Sequence, residues 1–248
     1  ALHHTSSAFA ALSKIRSTTT IVENEAGTNT TTTKPETPTL DGTTLPRSSP
    51  PLYDLALACY QDNICDNESL RDSLVLDLNN KDCTPLQQKL LSRINESFPD
   101  DYQDFLLSGG TSSGKTTAAE LLMGLSNNSD LAAARIIYLA PTRALAQERW
   151  RAWRERYSTI KTGRRGDNVI ISTGEDHSND RALARGEFLI ACLVTEKANV
   201  ILSTSPSLLQ KLNMIIVDEI HMIDDVQRGP VIETLLAKAR QEKQRRQR

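Results

Sequence analysis

One corner of the chain limits its architecture more than any other: "FLLSGGTSSGKTTAAELL", residues 105–122. A short apolar run enters a turn rich in glycine and serine and leaves as a helix-favouring run, so the segment reads as strand, tight turn and helix. Two chemistries use such a corner. Gly110-Thr111-Ser112-Ser113-Gly114 fits G-x-S-x-G, the turn that exposes a nucleophilic serine, which would be Ser112. Gly109 to Thr116 fits G-x-x-x-x-G-K-[ST], a loop whose backbone N–H groups cradle phosphates. The corner alone does not choose between them.

The chain downstream repeats the same alternation. "RIIYLAP", "NVIISTG", "EFLIACLVT" and "NMIIVDE" read as strands, and "DFLLSGG" as a buried strand before them. Between them "TRALAQERWRAWRERY", "NDRALARG", "EKANVILST" and "PSLLQKL" read as helices, and "GPVIETLLAKAR" closes the series. Strands that are apolar throughout and separated by helices describe a doubly wound α/β domain, a parallel sheet with helices on both faces.

A serine hydrolase built on Ser112 needs an acid and then a histidine downstream. Only His177, in the polar "GEDHSND", and His221 follow it. His221 lies three residues after Asp218, a spacing that argues against Asp218 as its triad acid; a different acid stays open.

The phosphate-loop reading asks for a carboxylate at the end of a neighbouring strand to hold Mg²⁺. "MIIVDEIH" supplies Asp218 for the metal, and Glu219 beside it is placed to activate the attacking water. Gly109, Gly110 and Gly114 let the backbone approach the phosphates, with Thr111, Ser112 and Ser113 as spacers in the loop. Lys115 neutralises the β/γ oxygens, the Thr116 hydroxyl coordinates Mg²⁺, and Thr117 completes the ATP-binding set.

Composition places this domain within the chain. The hydrophobic fraction of 38% is low because residues 1–50 are dominated by Thr, Ser, Pro and Asn. That tail is expected to be disordered, since little in it offsets the entropy of ordering. Residues 51–83 read as a short helical accessory segment, from "PPLYDLALACYQ" and "NESLRDSLVLDL", and residues 84–248 as the main domain. The formal net charge of -2 names no partner, but basic residues gather in 143–165 and at the end, "KARQEKQRRQR". The four cysteines, Cys59, Cys65, Cys83 and Cys192, show no metal-ligand spacing and read as reduced intracellular thiols. No apolar run approaches the roughly 18 residues of a membrane span, so no membrane partner is expected.

Several segments, taken in order, resemble the first RecA-like lobe of superfamily 2 DExH-box helicases. The subgroup is that of repair and meiotic DNA helicases and exosome-associated RNA helicases. "TPLQQKLL" resembles the family's Q-type motif, "GGTSSGKT" motif I, "LAPTRALAQER" motif Ia, "STGE" motif Ib, "VTEKAN" the next strand-end motif and "DEIH" motif II. "HMIDDVQRGPVIE" is similar to the family's continuation, and the resemblance covers about residues 84 to 240.

The resemblance implies an ATP-dependent helicase that uses ATP and Mg²⁺, with Gln87 against adenine and His221 coupling the nucleotide site to a second lobe. It implies a sequence-tolerant grip on single-stranded or partly duplex nucleic acid through Pro141, Thr142, Arg143, Thr173, Gly174, Thr195, Glu196 and Lys197. "VTEKAN" lacks the proline common before EK in relatives, and "STSPSLL" competes as the equivalent loop. Trp150 and Trp153 could stack on bases, but their spacing on an Arg-rich helix favours packing against the sheet.

No S-A-T motif and no arginine-bearing Q-R-x-G-R motif follows residue 240. The expectation is therefore a fragment that binds ATP, hydrolyses it slowly and does not unwind a duplex alone. DNA is favoured over RNA by the resemblance of "DEIHMI" and its R-G-P continuation. The expected location is intracellular, the nucleus ahead of an organelle or the cytoplasm. The alternative is an ATP-binding remodelling module without unwinding activity.

Overall fold

The computed structural model describes residues 18–22, 83–97, 104–125, 134–158, 166–174 and 176–246. The accessory helices expected in 51–83 lie outside these residues. Thr18–Val22 (β1) and Asp104–Ser108 (β2) pair in parallel, with Thr18 opposite Asp104 and Val22 opposite Ser108. β1 falls inside the tail expected to be disordered. Its Thr-Thr-Thr-Ile-Val run is β-branched throughout, which suits a pleated edge once β2 offers one. Pro85–Ser97 (α1) lies between the two strands in the chain, and Lys115–Leu125 (α2) follows β2.

The main sheet contains Ile136–Ala140 (β3), Val169–Ser172 (β4), Ile190–Val194 (β5) and Met214–Val217 (β6). All pairs are parallel, in the order β4-β5-β3-β6. Arg143–Tyr157 (α3) follows β3, Asp180–Arg185 (α4) follows β4, and Thr195–Thr204 (α5) with Pro206–Lys211 (α6) follow β5. A 3-10 turn over Ile220–Asp224 and the long helix Gly229–Arg246 (α7) complete the described chain.

Alternation along each strand feeds two cores. Ile136, Tyr138 and Ala140 of β3 face Met123, Trp153 and Tyr157, whereas Ile137 and Leu139 face Leu183, Leu202, Leu208 and Leu235. Helices therefore cover both faces of a parallel sheet, as the alternation predicts.

Two strands depart from the expectation of full burial. β6 is half-buried because it pairs only with β3 among the described residues. β2 is half-buried too, and it pairs with β1 rather than with the four-stranded sheet. α7 ties these parts together. Lys243 Nζ lies 3.0 Å from Asp104 Oδ2 of β2. Arg246 donates to the carbonyls of Leu209, Gln210 and Leu212 at the end of α6. A cation suits that end of a helix, whose last carbonyls have no intrahelical donor.

Candidate active site

The loop from Gly109 to Gly114 is pinned from behind by the start of α1. Thr84 and Gln87 form a reciprocal cap: Gln87 Oε1 accepts from Thr84 N at 2.9 Å, and Thr84 Oγ1 accepts from Gln87 N at 3.3 Å. The same side chains reach forward into the loop. Thr84 Oγ1 donates to the Ser113 carbonyl at 2.8 Å, and Gln87 Nε2 donates to the Gly114 carbonyl at 3.2 Å. Gln87 is only 3% exposed, and its amide is engaged at both ends. Gln87 thus fastens the loop from behind, a role its position in a T-x-x-Q capping pattern could have revealed.

Gly114 has φ +81, and a Cβ there would lie 2.2 Å from Gln87 Nε2, so the position admits only glycine. Ser112 shares the left-handed region at φ 65 without that excuse, a strain typical of functional turns. Lys115 opens α2 and turns back, donating to the carbonyls of Gly109 at 2.8 Å and Gly110 at 2.7 Å. Thr111 and Ser112 are exposed, and Thr116 and Thr117 are half-buried in the first turn of α2. The buried Ser113 hydroxyl has no hydrogen-bond partner among the described residues.

The second cluster stands where β6 ends. Asp218 N donates to Leu139 O at 3.0 Å, which carries the β3 pairing one residue past β6. The carboxylate is held at both oxygens: Oδ1 accepts from Glu219 N at 3.0 Å, and Oδ2 accepts from the Tyr138 hydroxyl at 2.5 Å. Burial pushes the Tyr138 phenol far up from its usual pKa, and the bond to Asp218 adds to the shift. Glu219 adopts φ 50, ψ 46, and its Oε2 lies 3.1 Å from Nδ1 of the exposed His221.

Sequence reasoning passed over Tyr138, although a phenol in the otherwise aliphatic "RIIYLA" is a signal that a buried hydroxyl needs an acceptor.

Among the described residues no hydrogen bond or ion pair runs directly from the loop to Asp218 or Glu219. A side-chain series connects them. The Tyr138 ring meets Trp153 edge to face, with centroids 5.0 Å apart at 81°. Trp153 Nε1 donates to Glu120 Oε1 of α2 at 2.9 Å, and Arg156 pairs with the other oxygen of Glu120. Trp153 is thus a core residue. Trp150 donates to the Val169 carbonyl at 3.1 Å and carries Arg154 over its ring at 5.2 Å, so both tryptophans pack as expected.

Among the described residues no histidine serves Ser112. His177 Nδ1 lies 2.9 Å from both Asp180 Oδ2 and Lys197 Nζ, and His221 faces Glu219. The nucleophile reading of the corner has no base among the described residues.

The residues expected at the nucleic-acid edge separate into two groups. Thr142 caps α3, accepting from Leu145 N at 3.3 Å. A Cβ on Gly174 would lie 3.3 Å from Arg143 Nη2, so these two expected contacts stand side by side beyond the half-buried Pro141. Glu196 is exposed, 3.9 Å from Arg228.

Thr173, Thr195 and Lys197, by contrast, are buried. Lys197 Nζ lies 2.6 Å from Asp180 Oδ2, whose partner oxygen accepts from Ser172 Oγ at 2.7 Å. Burial pushes the Asp180 carboxyl up, but the hydrogen bonds from Lys197, Ser172 and His177 outweigh it and leave the group below its ordinary value. The side chains of Lys197, Thr173 and Thr195 thus lie beneath the surface, with Lys197 engaged by Asp180. The reason is helical: two residues into α5, the chain turns Lys197 inward and Glu196 outward.

The segment after motif II is equally constrained. Asp225 Oδ1 accepts from Gln227 N and Arg228 N, each at 2.9 Å, and a Cβ on Gly229 would lie 2.2 Å from the Ile223 carbonyl oxygen. The glycine is a steric requirement of this turn.

The geometry can be set beside known proteins. The family model described as DEAD/DEAH box helicase matches residues 84–248. The ATP-dependent DNA helicase Hel308 of Methanocella arvoryzae is 34% identical over 140 residues, 56% of this chain and 18% of that protein. Activating signal cointegrator 1 complex subunit 3 of Gallus gallus is 33% identical over 135 residues, 54% of this chain and 6% of that protein. The Hel308 of Methanocaldococcus jannaschii is 29% identical over 177 residues, 70% of this chain and 14% of that protein. The chain thus spans less than a fifth of the length of these relatives. A phosphate-loop corner, a parallel sheet ending in Asp218-Glu219 and a family match over the same residues agree: the chain belongs to the DEAD/DEAH box helicase family.

Proposed function

We propose that residues 84–248 form the first motor lobe of an ATP-dependent nucleic-acid helicase, a RecA-like domain that binds ATP with Mg²⁺. The observation that carries this reading is the state of the loop. Among the described residues Lys115 is held only by the backbone carbonyls of Gly109 and Gly110, and the buried Ser113 hydroxyl has no partner. Donors with weak or missing partners at the N-terminus of α2 fit an anion such as a triphosphate. Thr116 and Asp218 would hold the metal, in keeping with the preference of Mg²⁺ for one or two protein oxygens plus phosphate.

Bound Mg²⁺ would supply charge neutralisation across the β- and γ-phosphate oxygens. The chain's own residues do the rest. Gly109, Gly110, Thr111, Ser112, Gly114 and Thr117 shape the loop, Lys115 neutralises phosphate charge, and Glu219 orients and deprotonates the attacking water. His221, exposed beside Glu219, is placed to report the nucleotide state to a second RecA-like lobe in the full-length product.

The nucleic-acid face is drawn from Pro141, Thr142, Arg143, Gly174 and Glu196, with single-stranded or partly duplex DNA favoured over RNA because the Hel308 relatives are named DNA helicases. Contacts from helix N-termini and a guanidinium grip phosphate without reading bases. The setting that goes with this reading is intracellular, the nucleus ahead of an organelle or the cytoplasm.

The test is strand-stimulated ATP hydrolysis and duplex unwinding by the full-length product. Glu219→Gln should lower hydrolysis by about 10²–10⁴-fold, the range of a lost general base, and Lys115→Ala by about 10²–10³-fold, the range of a lost charge-stabilising donor. Unwinding that survives both substitutions refutes the reading. ATP binding without unwinding by the intact product would point instead to a remodelling module.

A further inference from the structure

The catalytic carboxylate is more firmly held than its exposed neighbour. Asp218 receives one donor on each oxygen, Glu219 N–H on Oδ1 and the Tyr138 hydroxyl on Oδ2, so the group cannot rotate about its terminal bond without breaking a bond. Each oxygen still has a free lone pair for a further ligand. Tyr138 itself is 3% exposed, and its hydroxyl would lack an acceptor if Asp218 moved away.

The phenol is held in turn. Trp153, 1% exposed, packs edge-on against the Tyr138 ring and donates to Glu120 of α2, which also pairs with Arg156. Glu120 belongs to the helix that begins with Lys115. Since among the described residues β2 pairs with β1 and not with the four-stranded sheet, this series of side chains links the loop's helix to the end of β6.

We propose that Tyr138 is a positioning residue for Asp218. Its phenol fixes the carboxylate in the orientation that receives a magnesium-bound nucleotide, and Trp153 and Glu120 tie that orientation to the helix carrying Lys115 and Thr116. The inference rests on the ATP–Mg²⁺ reading above and adds a residue to it.

Tyr138→Phe removes one hydroxyl and keeps the ring against Trp153. The experiment is equilibrium binding of a fluorescent ATP analogue across a Mg²⁺ titration and in EDTA, with thermal melting recorded for each form. Loss of a group that orients a metal ligand costs roughly 10- to 100-fold in metal affinity. Tyr138→Phe should therefore raise the Mg²⁺ concentration at half-saturation about tenfold, while binding in EDTA stays at the parent level. Combined with Asp218→Asn it should add nothing further, because its effect passes through Asp218. Tyr138→Met, which also lacks a donor, repeats the test in a different shape should Phe at this position melt the domain.

An unchanged Mg²⁺ midpoint in a well-folded Tyr138→Phe or Tyr138→Met chain overturns the inference and leaves the ATP reading intact. Equal losses with Mg²⁺ and with EDTA overturn it as well, since they mark a purely structural tyrosine. Failure of the unaltered chain to bind the analogue at all removes the ATP reading and this inference together.

Discussion

Two lysines, each near the start of a helix that follows a parallel strand, have opposite fates. Lys115 is half-buried and donates only to neutral backbone carbonyls of its own loop. Lys197 is buried and lies 2.6 Å from the Asp180 carboxylate, with His177 and Ser172 completing the cluster. The first charge is available to a phosphate at the cost of two carbonyl bonds. The second is already neutralised, and freeing it would leave Asp180 without its main counter-charge. Motif spacing gives the residue type and the strand end, but the partner that decides what a charge does comes from tertiary packing.

The largest effect on this contrast should come from Lys197→Met. Removing one member of a buried pair costs about 3–5 kcal/mol, and about 2 kcal/mol is expected here because Asp180 keeps some contact with water. Chemical denaturation at neutral pH measures it. A loss below about 0.5 kcal/mol, the level of an ordinary surface change, would return Lys197 to the nucleic-acid face.

The same pair should depend on acidity. The Asp180 carboxyl is depressed in the folded chain, so its stabilisation is complete above the unfolded value and is lost as pH falls through the folded one. The stability gap between the parent and Lys197→Met should therefore narrow as pH falls below about 5 and go on narrowing below the ordinary aspartate value. A gap that holds constant over that range would mean that the ion pair contributes nothing.

A smaller effect is expected at the exposed edge. Arg143→Ala should weaken binding to an unstructured DNA strand by about 1 kcal/mol and reduce the slope of log affinity against log salt by about one. Lys197→Met, measured where it is still folded, should leave that slope unchanged. Reversal of the two results would break the division of the edge into contacts and supports.

Much of this was legible in the sequence because it is periodic. β3, β4, β5, β6 and α3 lie where their patterns of apolar residues place them, and both sheet faces are covered. The partner of β2 was not legible. It comes from a Thr-rich stretch whose β-propensity counts only when an open edge is present, and no local pattern announces that edge.

At the site, glycine and lysine spacing identified the loop, and the acidic pair identified the end of β6. The part Gln87 plays as an anchor of the loop was not read, because a T-x-x-Q cap and a base-binding glutamine look alike in one dimension. Tyr138 and Asp180 were missed since their importance lies wholly in what they touch across the fold.

The central claim is that the corner 105–122 binds nucleotide phosphate and holds no nucleophile. Calorimetric binding of ATP with Mg²⁺ to the unaltered chain, Lys115→Ala and Ser112→Ala tests it most directly. Loss of a charged donor to phosphate is worth about 1.5–3 kcal/mol, so Lys115→Ala should bind roughly 10- to 100-fold more weakly, while Ser112→Ala stays within about threefold of the parent. Parent-like affinity in Lys115→Ala, or a loss confined to Ser112→Ala, would contradict the account.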